Sequence, residues 1–435
     1  MQLYSTNNTD LRVPFKEAVF NSLPADKGLY MPETIPTLDA YFIQNLSQFT
    51  FQDIAFKVAS ALIGDAIPVA DLRRIIDDAI DFEAPVRPLE SGMAVLELFH
   101  GPSLAFKDFG ARFMSRVMAA LSQTDERVLD VLVATSGDTG GAVALGFLGV
   151  PGTRVTILYP KGKVSPVQEL QLTTNGHNIR AIEVDGTFDD CQALVKEAFN
   201  DPGLKAALRL TSANSINIAR LIPQTFYYFY AYAQLQAQGM REVVFSVPSG
   251  NFGNIGAGLL AYKMGLPVTH FIAATNVNDT VPRFLKDGRY EPRPSVQTLA
   301  NAMDVGNPSN WVRIMDMFNN DRASLKRLVS SYTITDAETR DAIQAIFDQY
   351  GYIACPHTAI AWSAAKRYRE EYPGTYAAVF LSTAHPCKFP DVFPQELVTK
   401  ITTPVQVSQL EGKEKQTITL DVNFGAFKDY LMTGS

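Results

Sequence analysis

The sequence predicts an α/β protein in which mostly parallel, open sheets are covered by helices, preceded by a helical N-terminal extension. From Lys107 onward, short apolar runs typical of buried strands alternate with segments of helical period. Two of these runs, RVLDVLVATS (127–136) and EVVFSVPSG (242–250), each lead into a helical segment rich in small residues. Alternation of this kind favours parallel pairing, because a crossover helix returns the chain to the same end of the sheet.

The elements follow one another in order along the chain. Short runs rich in β-branched and aromatic residues predict strands at MAVLELFH, RVLDVLVATS, TRVTILYP, NIRAIEVDG, EVVFSVPSG, VTHFIAATN and YAAVFLST. Apolar residues that recur every three or four positions predict helices at KDFGARFMSRVMAALSQ, DTGGAVALGFLG, SPVQELQLTTNG, TFDDCQALVKEAFND, IARLIPQTFYYFYAYAQLQAQG, NIGAGLLAYKMG and TAIAWSAAKRYREEY. Residues 276–330 are predicted to be irregular, and residues 400–435 carry no recognisable chemical motif.

Three units are predicted. Residues 1–90 form an N-terminal extension with amphipathic helices at FTFQDIAFKVASALIG and VADLRRIIDDAIDF. The stretch APVRPLESG (84–92) is predicted to be a linker, because its prolines break a helix. Residues 91–235 form an α/β domain that binds substrate, and residues 236–435 form a larger α/β domain with a glycine-rich loop.

The composition is that of a soluble globular chain without a nucleic-acid surface. Of its 435 residues, 46% are apolar and 19% are charged, and the formal net charge is −7. An acidic balance disfavours phosphate backbones, which are held by clustered Lys and Arg. No apolar run approaches the roughly 20 residues of a bilayer span, and the N-terminus lacks a signal-peptide pattern. We therefore expect a cytoplasmic protein with no nucleic-acid or membrane partner.

Neither a disulfide framework nor a metal centre is expected. Cys191, Cys355 and Cys387 are far apart and odd in number. The five histidines are scattered, and no CxxC or HExxH spacing occurs.

Lys107 stands out because it lies among apolar residues in LELFHGPSLAFKDFGARFM (97–115). One interpretation is structural: the stem packs on Phe106 and Phe109 while the amine reaches water or pairs with Asp108. The other is chemical: a desolvated amine of lowered pKa can form a Schiff base with a carbonyl cofactor. This stretch alone leaves both open.

Two further strand ends carry residues suited to anions. In ATSGDTGGA (134–142), Ser136, Asp138 and Thr139 can either cap the next helix or help its N-terminus to receive a carboxylate. In SVPSGNFGNIGAG (246–258), Gly250 and Gly253 allow a close approach of the backbone to a phosphate. The second loop lacks the Walker and dinucleotide spacings, so its phosphate belongs to a small cofactor.

Three more stretches carry residues that are candidates for ligand binding. In FLSTAHPCKF (380–389) a strand ends at Ser382 and Thr383. We interpret His385 as a loop histidine beside a proline. Alternatively, a hydroxyl at the end of this strand can bond the ring nitrogen of a buried ligand. YPKGKVSPVQ carries Lys161, Lys163 and Ser165, and TSANSINIARLIPQ carries Asn217 and Arg220. Solvated charges and helix caps are the alternative interpretations for these stretches. A Schiff-base lysine, a phosphate loop and a carboxylate turn together indicate a pyridoxal phosphate enzyme.

At this point the chain resembles a known family, threonine synthase, in its bacterial and fungal branch. The motifs that carry the resemblance run in order over nearly the whole chain: DKGLYMPETIP, HGPSLAFKDFGARF, ATSGDTGGA, KGKVSPVQ, NSINIAR, SVPSGNFGN, TNVNDTVPRFL, NAMDVGNPSNW and STAHPCKF. The resemblance implies a fold-type II, tryptophan synthase β-like enzyme with two mostly parallel open sheets and bound pyridoxal 5′-phosphate. It also implies conversion of O-phospho-L-homoserine and water to L-threonine and phosphate.

The resemblance implies roles for residues as well. Lys107 would bind the cofactor covalently, the backbone of Gly250, Asn251, Phe252, Gly253 and Asn254 would hold its phosphate, and Thr383 would bond its ring nitrogen. The residues implied for the substrate are Thr135, Ser136, Asp138 and Thr139 for the carboxylate, and Lys161, Lys163, Ser165, Asn217 and Arg220 around the phosphate. A monomer or homodimer is expected.

Alternatives come from two classes. Another fold-type II enzyme, such as a serine/threonine dehydratase, would share the lysine and the glycine loop, but not the pairing of KGKVSP and NSINIAR with this N-terminal extension. A non-catalytic relative that binds a phosphorylated ligand would not need the Schiff-base lysine.

Overall fold

The computed structural model describes residues 1–122 and 127–433, and it shows the predicted α/β architecture of parallel sheets between helices. The strands within these ranges are β1 (Gln2–Ser5), β2 (Asn8–Pro14), β3 (Tyr30–Pro32), β4 (Val86–Glu90), β5 (Met93–Glu97), β6 (Leu129–Ala134), β7 (Thr153–Pro160), β8 (Ile179–Asp185), β9 (Arg209–Ser212), β10 (Val243–Pro248), β11 (His270–Thr275), β12 (Val329–Thr333), β13 (Ala377–Ser382) and β14 (Thr417–Asp421).

Helices cover the sheets and fill the N-terminal unit. The α-helices of the described residues are α1 (Phe15–Asn21), α2 (Ala40–Gln44), α3 (Phe51–Ile63), α4 (Val69–Ala79), α5 (Lys107–Ser122), α6 (Asp138–Phe147), α7 (Pro166–Thr173), α8 (Phe188–Asn200), α9 (Pro202–Ala207), α10 (Ile218–Leu221), α11 (Gln224–Ala237), α12 (Gly253–Lys263), α13 (Thr280–Asp287), α14 (Trp311–Met317), α15 (Arg322–Leu328), α16 (Asp336–Tyr350), α17 (Pro356–Glu371), α18 (Gln395–Val398), α19 (Val405–Ser408) and α20 (Phe424–Thr433). None of them combines the length and hydropathy needed to cross a membrane.

The N-terminal unit contains the two predicted amphipathic helices, α3 and α4, together with a small sheet that the sequence analysis did not predict. Its antiparallel strands have the order β2-β1-β3. The strands of three to seven residues are too short for alternation to identify them. The extension is therefore a mixed unit and not a helical one.

A six-stranded sheet forms the larger α/β unit, in the order β12-β11-β10-β13-β5-β4. All pairs are parallel except β4 with β5. Strands β4 and β5 thus belong to this sheet, whereas the sequence analysis placed residues 84–92 in a linker and residues 93–97 in the substrate domain. Pro88 is compatible with β4 because β4 is an edge strand, where a missing N–H leaves no neighbour unbonded.

A five-stranded parallel sheet forms the other α/β unit, in the order β14-β8-β7-β6-β9. Its edge strand β14 comes from the C-terminal segment and pairs with β8 from Thr417–Ala181 to Asp421–Asp185. Helix α20 buries Phe427 and Leu431 in the same core. The predicted domain 236–435 is therefore wrong at its end, because the chain returns to complete the smaller unit.

Two local predictions also differ from the structure. Residues 276–330 contain α13, α14 and α15, which are only seven or eight residues long and so show little periodicity. The single helix predicted from Ile218 is two helices, α10 and α11. Pro223 lies between them, and it has no N–H to donate to the preceding turn.

Close packing against the larger sheet constrains α12. A Cβ atom built on Gly258 would lie 2.7 Å from Phe271 and 2.8 Å from Tyr228, and both of these rings are fully buried. A Cβ atom on Gly256 of the same helix would lie 3.7 Å from its nearest neighbour, Ile314. Helix α12 thus lies against the aromatic core at Gly258, whereas a methyl group at Gly256 would be at an ordinary contact distance from its neighbours.

We expect Gly258→Ala to lower the free energy of unfolding by about 1–3 kcal/mol, because the rings must shift to admit the methyl group. Gly256→Ala is the matched control and should be neutral or stabilising by about 0.5–1 kcal/mol, through better helix propensity. Chemical denaturation of both variants measures the difference. Equal stabilities would contradict this description of the packing.

Candidate active site

Lys107 begins α5 next to the carboxyl end of β13. The segment before it is fixed by an isolated antiparallel bridge between Ala105 and Ala384. The N–H of Phe106 donates to the carbonyl of Thr383 at 2.9 Å. Leu104 adopts a left-handed conformation with φ of 59°, which is rare for a branched side chain. The start of α5 is therefore held firmly against the end of the larger sheet.

The amine of Lys107 is largely removed from water. Its side chain is 16% exposed, and Nζ lies 3.8 Å from Oδ2 of Asp138. Burial lowers the pKa of Lys107 to about 8, and the Asp138 carboxylate opposes that change only in part. The cations of Lys388 and Arg220 favour the neutral amine further. This is the environment of a nucleophilic or proton-carrying lysine.

A second lysine, Lys388, shares the same carboxylate and is not among the residues predicted from the sequence. Lys388 is completely buried; its Nζ lies 2.7 Å from Oδ1 of Asp138 and donates to the carbonyl of Ser103 at 2.8 Å. It lies in the turn 386–388, which begins at His385; the ring of His385 accepts a hydrogen bond from the N–H of Cys387 at 3.2 Å. The available signal was the one that singled out Lys107, a lysine next to apolar residues after a strand.

Asp138, which is expected to help hold the substrate carboxylate, is a buried carboxylate paired with two lysines. Burial alone would raise its pKa, but the ammonium groups of Lys388 and Lys107 hold the pKa well below its usual range. Nε2 of Gln168 also donates to Oδ1 at 2.9 Å. The carboxylate thus already has three partners within the protein, and its expected contact with the substrate carboxylate stays a prediction.

The first turn of α6 is open to an anion. Its N-cap is Gly137, with φ of 133° and no side-chain capping bond. The hydroxyl of Thr135 accepts from the N–H groups of Gly137 at 3.0 Å and Gly140 at 2.8 Å. Ser136 and Thr139 are half-buried beside this turn. The N–H groups of Asp138 and Thr139, which lie between those of Gly137 and Gly140, lack partners within the helix, so this turn can bind a carboxylate.

The glycine-rich loop 249–254 joins β10 to α12. A Cβ atom on Gly250 would lie 2.6 Å from the Met303 backbone, so a side chain does not fit there. Phe252 is left-handed, with φ of 59°, immediately before α12. The side chain of Asn251 donates to Ser215 at 2.5 Å and accepts from the N–H of Ser309 at 2.6 Å. These bonds hold the loop and leave the N-terminus of α12 available to a phosphate.

Asn254 has an unsatisfied amide. Its Oδ1 accepts hydrogen bonds from the hydroxyls of Tyr227 at 2.8 Å and Tyr228 at 2.7 Å. Its buried Nδ2 has no hydrogen-bond partner among the described residues. The two tyrosines therefore fix the orientation of the amide and leave one donor for a ligand.

Arg220 is a buried cation that forms no ion pair with the described residues, and the carboxylate of Asp108 acts on it only through space. It is 2% exposed, and Nη1 donates to the carbonyl of Ala213 at 2.5 Å. Nε has no partner, and no ion pair of this guanidinium occurs within the part of the chain that the structure describes. Burial lowers its pKa to about 10. Such a group is suited to a doubly charged anion such as a phosphate.

Asn217 is structural, which corrects the expectation that it binds substrate. Its Nδ2 donates to the carbonyl of Val19 at 2.8 Å and to the hydroxyl of Ser22 at 2.9 Å, and its Oδ1 caps α10 by accepting from the N–H of Ala219 at 2.9 Å. The amide is fully buried and both of its ends are bonded. It ties the N-terminal unit to the smaller α/β unit.

The remaining residues predicted for the site differ in how far they are buried. Thr383 follows β13 and is buried. Lys161 is exposed and pairs with Asp185 at 3.2 Å, and Lys163 is exposed as well. Ser165 caps α7 in a capping box with Gln168, whose side chain reaches Asp138. The structure thus brings Ser165's helix to the site but places the Lys161 amine at the surface.

The site residues fit pyridoxal phosphate. Eight buried side-chain polar atoms lack a partner among the described residues, and five of them come from side chains in or beside the stretches above: Ser103, Asp108, Gln171, Arg220 and Asn254. A desolvated amine, an open helix N-terminus behind glycine and a buried hydroxyl are groups that this cofactor needs. Across residues 1–122 and 127–433, no group of three His, Cys, Asp or Glu side chains could hold a metal ion.

Family comparisons cover most of the chain. Residues 90–384 match the family model described as pyridoxal-phosphate dependent enzyme. Residues 2–80 match the model for the threonine synthase N terminus, and residues 358–431 match that for the threonine synthase C-terminal region.

The chain is also similar to individual threonine synthases in sequence and in structure. The chain is 44% identical to threonine synthase of Escherichia coli (strain K12), over 99% of both chains. The crystal structure of threonine synthase from Escherichia coli superposes with a TM-score of 0.91 at 43% identity and full coverage of both chains. A pyridoxal-phosphate-bound threonine synthase structure from Brucella melitensis gives 0.92 at 35% identity, over 100% of this chain and 99% of that one.

We expect Asn217→Ala to lower the free energy of unfolding by about 2–4 kcal/mol, because it removes a helix cap and leaves buried acceptors unbonded. Asn200→Ala is the control: among the described residues its exposed side chain bonds only the carbonyl of Lys196 in its own helix, and the change should cost less than about 1 kcal/mol. Chemical denaturation measures both. A stable Asn217→Ala variant with a raised KM would instead restore the substrate-binding role.

Proposed function

The chain belongs to the threonine synthase family of pyridoxal-phosphate-dependent enzymes, and we propose that it converts O-phospho-L-homoserine and water into L-threonine and phosphate. It is a lyase that breaks a carbon–oxygen bond. The observation that carries the assignment of its site is the desolvated Lys107 amine, 3.8 Å from the Asp138 carboxylate, inside the region that matches the cofactor-binding family.

The cofactor would be held by three parts of the chain. Lys107 would bind it covalently, the backbone of Gly250 to Asn254 would bind its phosphate at the start of α12, and the Thr383 hydroxyl would face its ring nitrogen. When bound, pyridoxal phosphate supplies an electron sink next to the substrate α-carbon. The free donor of Asn254 supports this placement.

Lys107 would then carry protons for the reaction. Its amine would take the proton from the substrate α-carbon, pass that proton on to the bound cofactor and, neutral again, take a proton from the β-carbon, after which the phosphate leaves the γ-carbon. It would return protons to the γ-carbon and, after water has added at the β-carbon, to the α-carbon. An amine whose pKa is lowered to about 8 by burial is neutral more often near pH 7 than an ordinary lysine, which suits a general base.

The two anionic groups of the substrate need separate sites. We assign its carboxylate to the first turn of α6 with the hydroxyls of Thr135, Ser136 and Thr139. We assign its phosphate to Arg220, with Ser165 and Lys163 at the start of α7. The exposed Lys161, which pairs with Asp185, would act only through long-range attraction.

The alternative of a serine/threonine dehydratase is not favoured. The matched N- and C-terminal regions belong to threonine synthases. A threonine deaminase from Solanum lycopersicum superposes with a TM-score of 0.57 at 17% identity, which supports a shared fold alone. The cytoplasmic location and the monomeric or dimeric state stay predictions.

Lys107→Ala should lower phosphate release from O-phospho-L-homoserine by at least about 100-fold and abolish the visible absorbance of bound cofactor, because it removes both the covalent link and the proton carrier. Lys428→Ala serves as the control, since Lys428 pairs with Asp201 outside the site. Release of phosphate and formation of threonine are measured together. Wild-type protein that has the visible absorbance but no turnover would refute the substrate assignment.

Arg220→Gln should raise KM for O-phospho-L-homoserine roughly 10- to 100-fold, which corresponds to about 1.5–3 kcal/mol of lost charge-assisted bonding. Inhibition by inorganic phosphate should weaken in parallel. Arg12→Gln at an exposed ion pair is the control. An unchanged KM in folded Arg220→Gln protein would remove this residue from the phosphate site.

A further inference from the structure

Lys388 has no part in the reaction described above, yet it is the most deeply buried cation near Lys107. Its side chain is 0% exposed, with Nζ 2.7 Å from Asp138 and 2.8 Å from the carbonyl of Ser103. Ser103 lies in the segment that leads into Lys107. Lys388 therefore links three elements: the turn after β13, the start of α6 and the segment before α5.

The charges of Lys107, Lys388 and Asp138 do not form a simple ion pair. One carboxylate faces two amines, and Lys388 is the nearer at 2.7 Å, against 3.8 Å for Lys107. Burial raises the pKa of Asp108 to about 6 and lowers that of His357 to about 4, so His357 is neutral near pH 7. The ionisable groups that face Lys107, Asp138 and Lys388 are Asp108, Arg220, Cys355, His357, His385 and Cys387.

Building on the proposed role of Lys107, we propose that Lys388 is a positioning residue that serves as the permanent counter-ion of Asp138. With that carboxylate already paired, the Lys107 amine is not held as an ammonium ion and remains free to bond the cofactor and to move protons. Lys388 acts through Asp138 and need not touch the substrate.

A purely structural role would not require a charge. Gln168 already donates to the same oxygen of Asp138 as a neutral partner. Burial of an ammonium ion carries a larger desolvation penalty than burial of an amide. A lysine at this completely enclosed position is therefore better explained by what its charge does to the neighbouring amine.

The test compares wild type and Lys388→Met as holoenzymes, with the visible absorbance of the bound cofactor followed against pH. Removal of the Lys388 charge should favour a proton on the Lys107 nitrogen and move the titration midpoint upward by about 1–2 pH units. The second readout is the acetylation of Lys107 in the cofactor-free full chain, followed against pH by peptide mass spectrometry. The pH midpoint of this acetylation should also move upward in Lys388→Met. Lys428→Met removes a surface ion pair of similar length and should leave both midpoints unchanged.

Two further variants separate charge from packing. Lys388→Arg keeps the charge and should retain a midpoint near the wild-type value. The double variant Asp138→Asn/Lys388→Met removes both charges, so its midpoint should return toward wild type. A merely structural lysine would change the thermal unfolding temperature but would not produce this pattern of midpoints.

Coincident midpoints for wild type and folded Lys388→Met would overturn the proposal. If Lys388→Met does not fold, Lys388→Gln replaces it with the same expectation, and failure of both to fold would also overturn the proposal by showing a structural requirement. Wild-type protein without cofactor absorbance or turnover would refute the proposed function instead, while the acetylation midpoints would still test the pairing of Lys388 with Asp138.

Discussion

The burial of two amines around one carboxylate is the constraint on which the site depends. Asp138 begins α6 in the smaller α/β unit, whereas Lys107 and Lys388 are anchored beside the end of β13 in the larger one. The contact therefore joins the two sheets at the point where the reaction would take place. Removal of water from this contact lowers the pKa of Lys107, and the two ammonium groups keep Asp138 ionised against the effect of burial. The same desolvation that costs stability thus prepares a reactive amine.

The rest of the fold brings ligand-binding groups to the same region. Parallel strands place their carboxyl ends together, and the turns after β6, β10 and β13 supply the open N-terminus of α6, the glycine-rich loop and Thr383. The N-terminal unit supports this arrangement through buried polar bonds. Arg313, near the glycine loop, donates to the carbonyls of Tyr30 and Ile216 and so connects all three units.

Local patterns were sufficient to predict the alternating strands and helices, the lysine in apolar surroundings and the glycine loop. They failed where a strand or a side chain contacts residues that are far away in the sequence. Strand β5 pairs with β13 and strand β14 pairs with β8, partners that lie far away in the sequence, so the predicted domain limits do not follow the sheets. Asn217 resembled a ligand-binding amide until Val19 and Ser22, about 200 positions away, were found to occupy it. Lys388 gave only a weak signal, because nothing in the sequence shows that it meets Asp138.

The central claim is that Lys107, and not the neighbouring buried lysine, is the residue that bonds the cofactor. Borohydride reduction of the holoenzyme, followed by digestion and peptide mass spectrometry, tests this claim most directly because it fixes the cofactor to the lysine that carries it. We predict a reduced pyridoxyl group on the peptide that contains Lys107 and an unmodified peptide for Lys388. A pyridoxyl group on Lys388, or on any other lysine, would contradict the account.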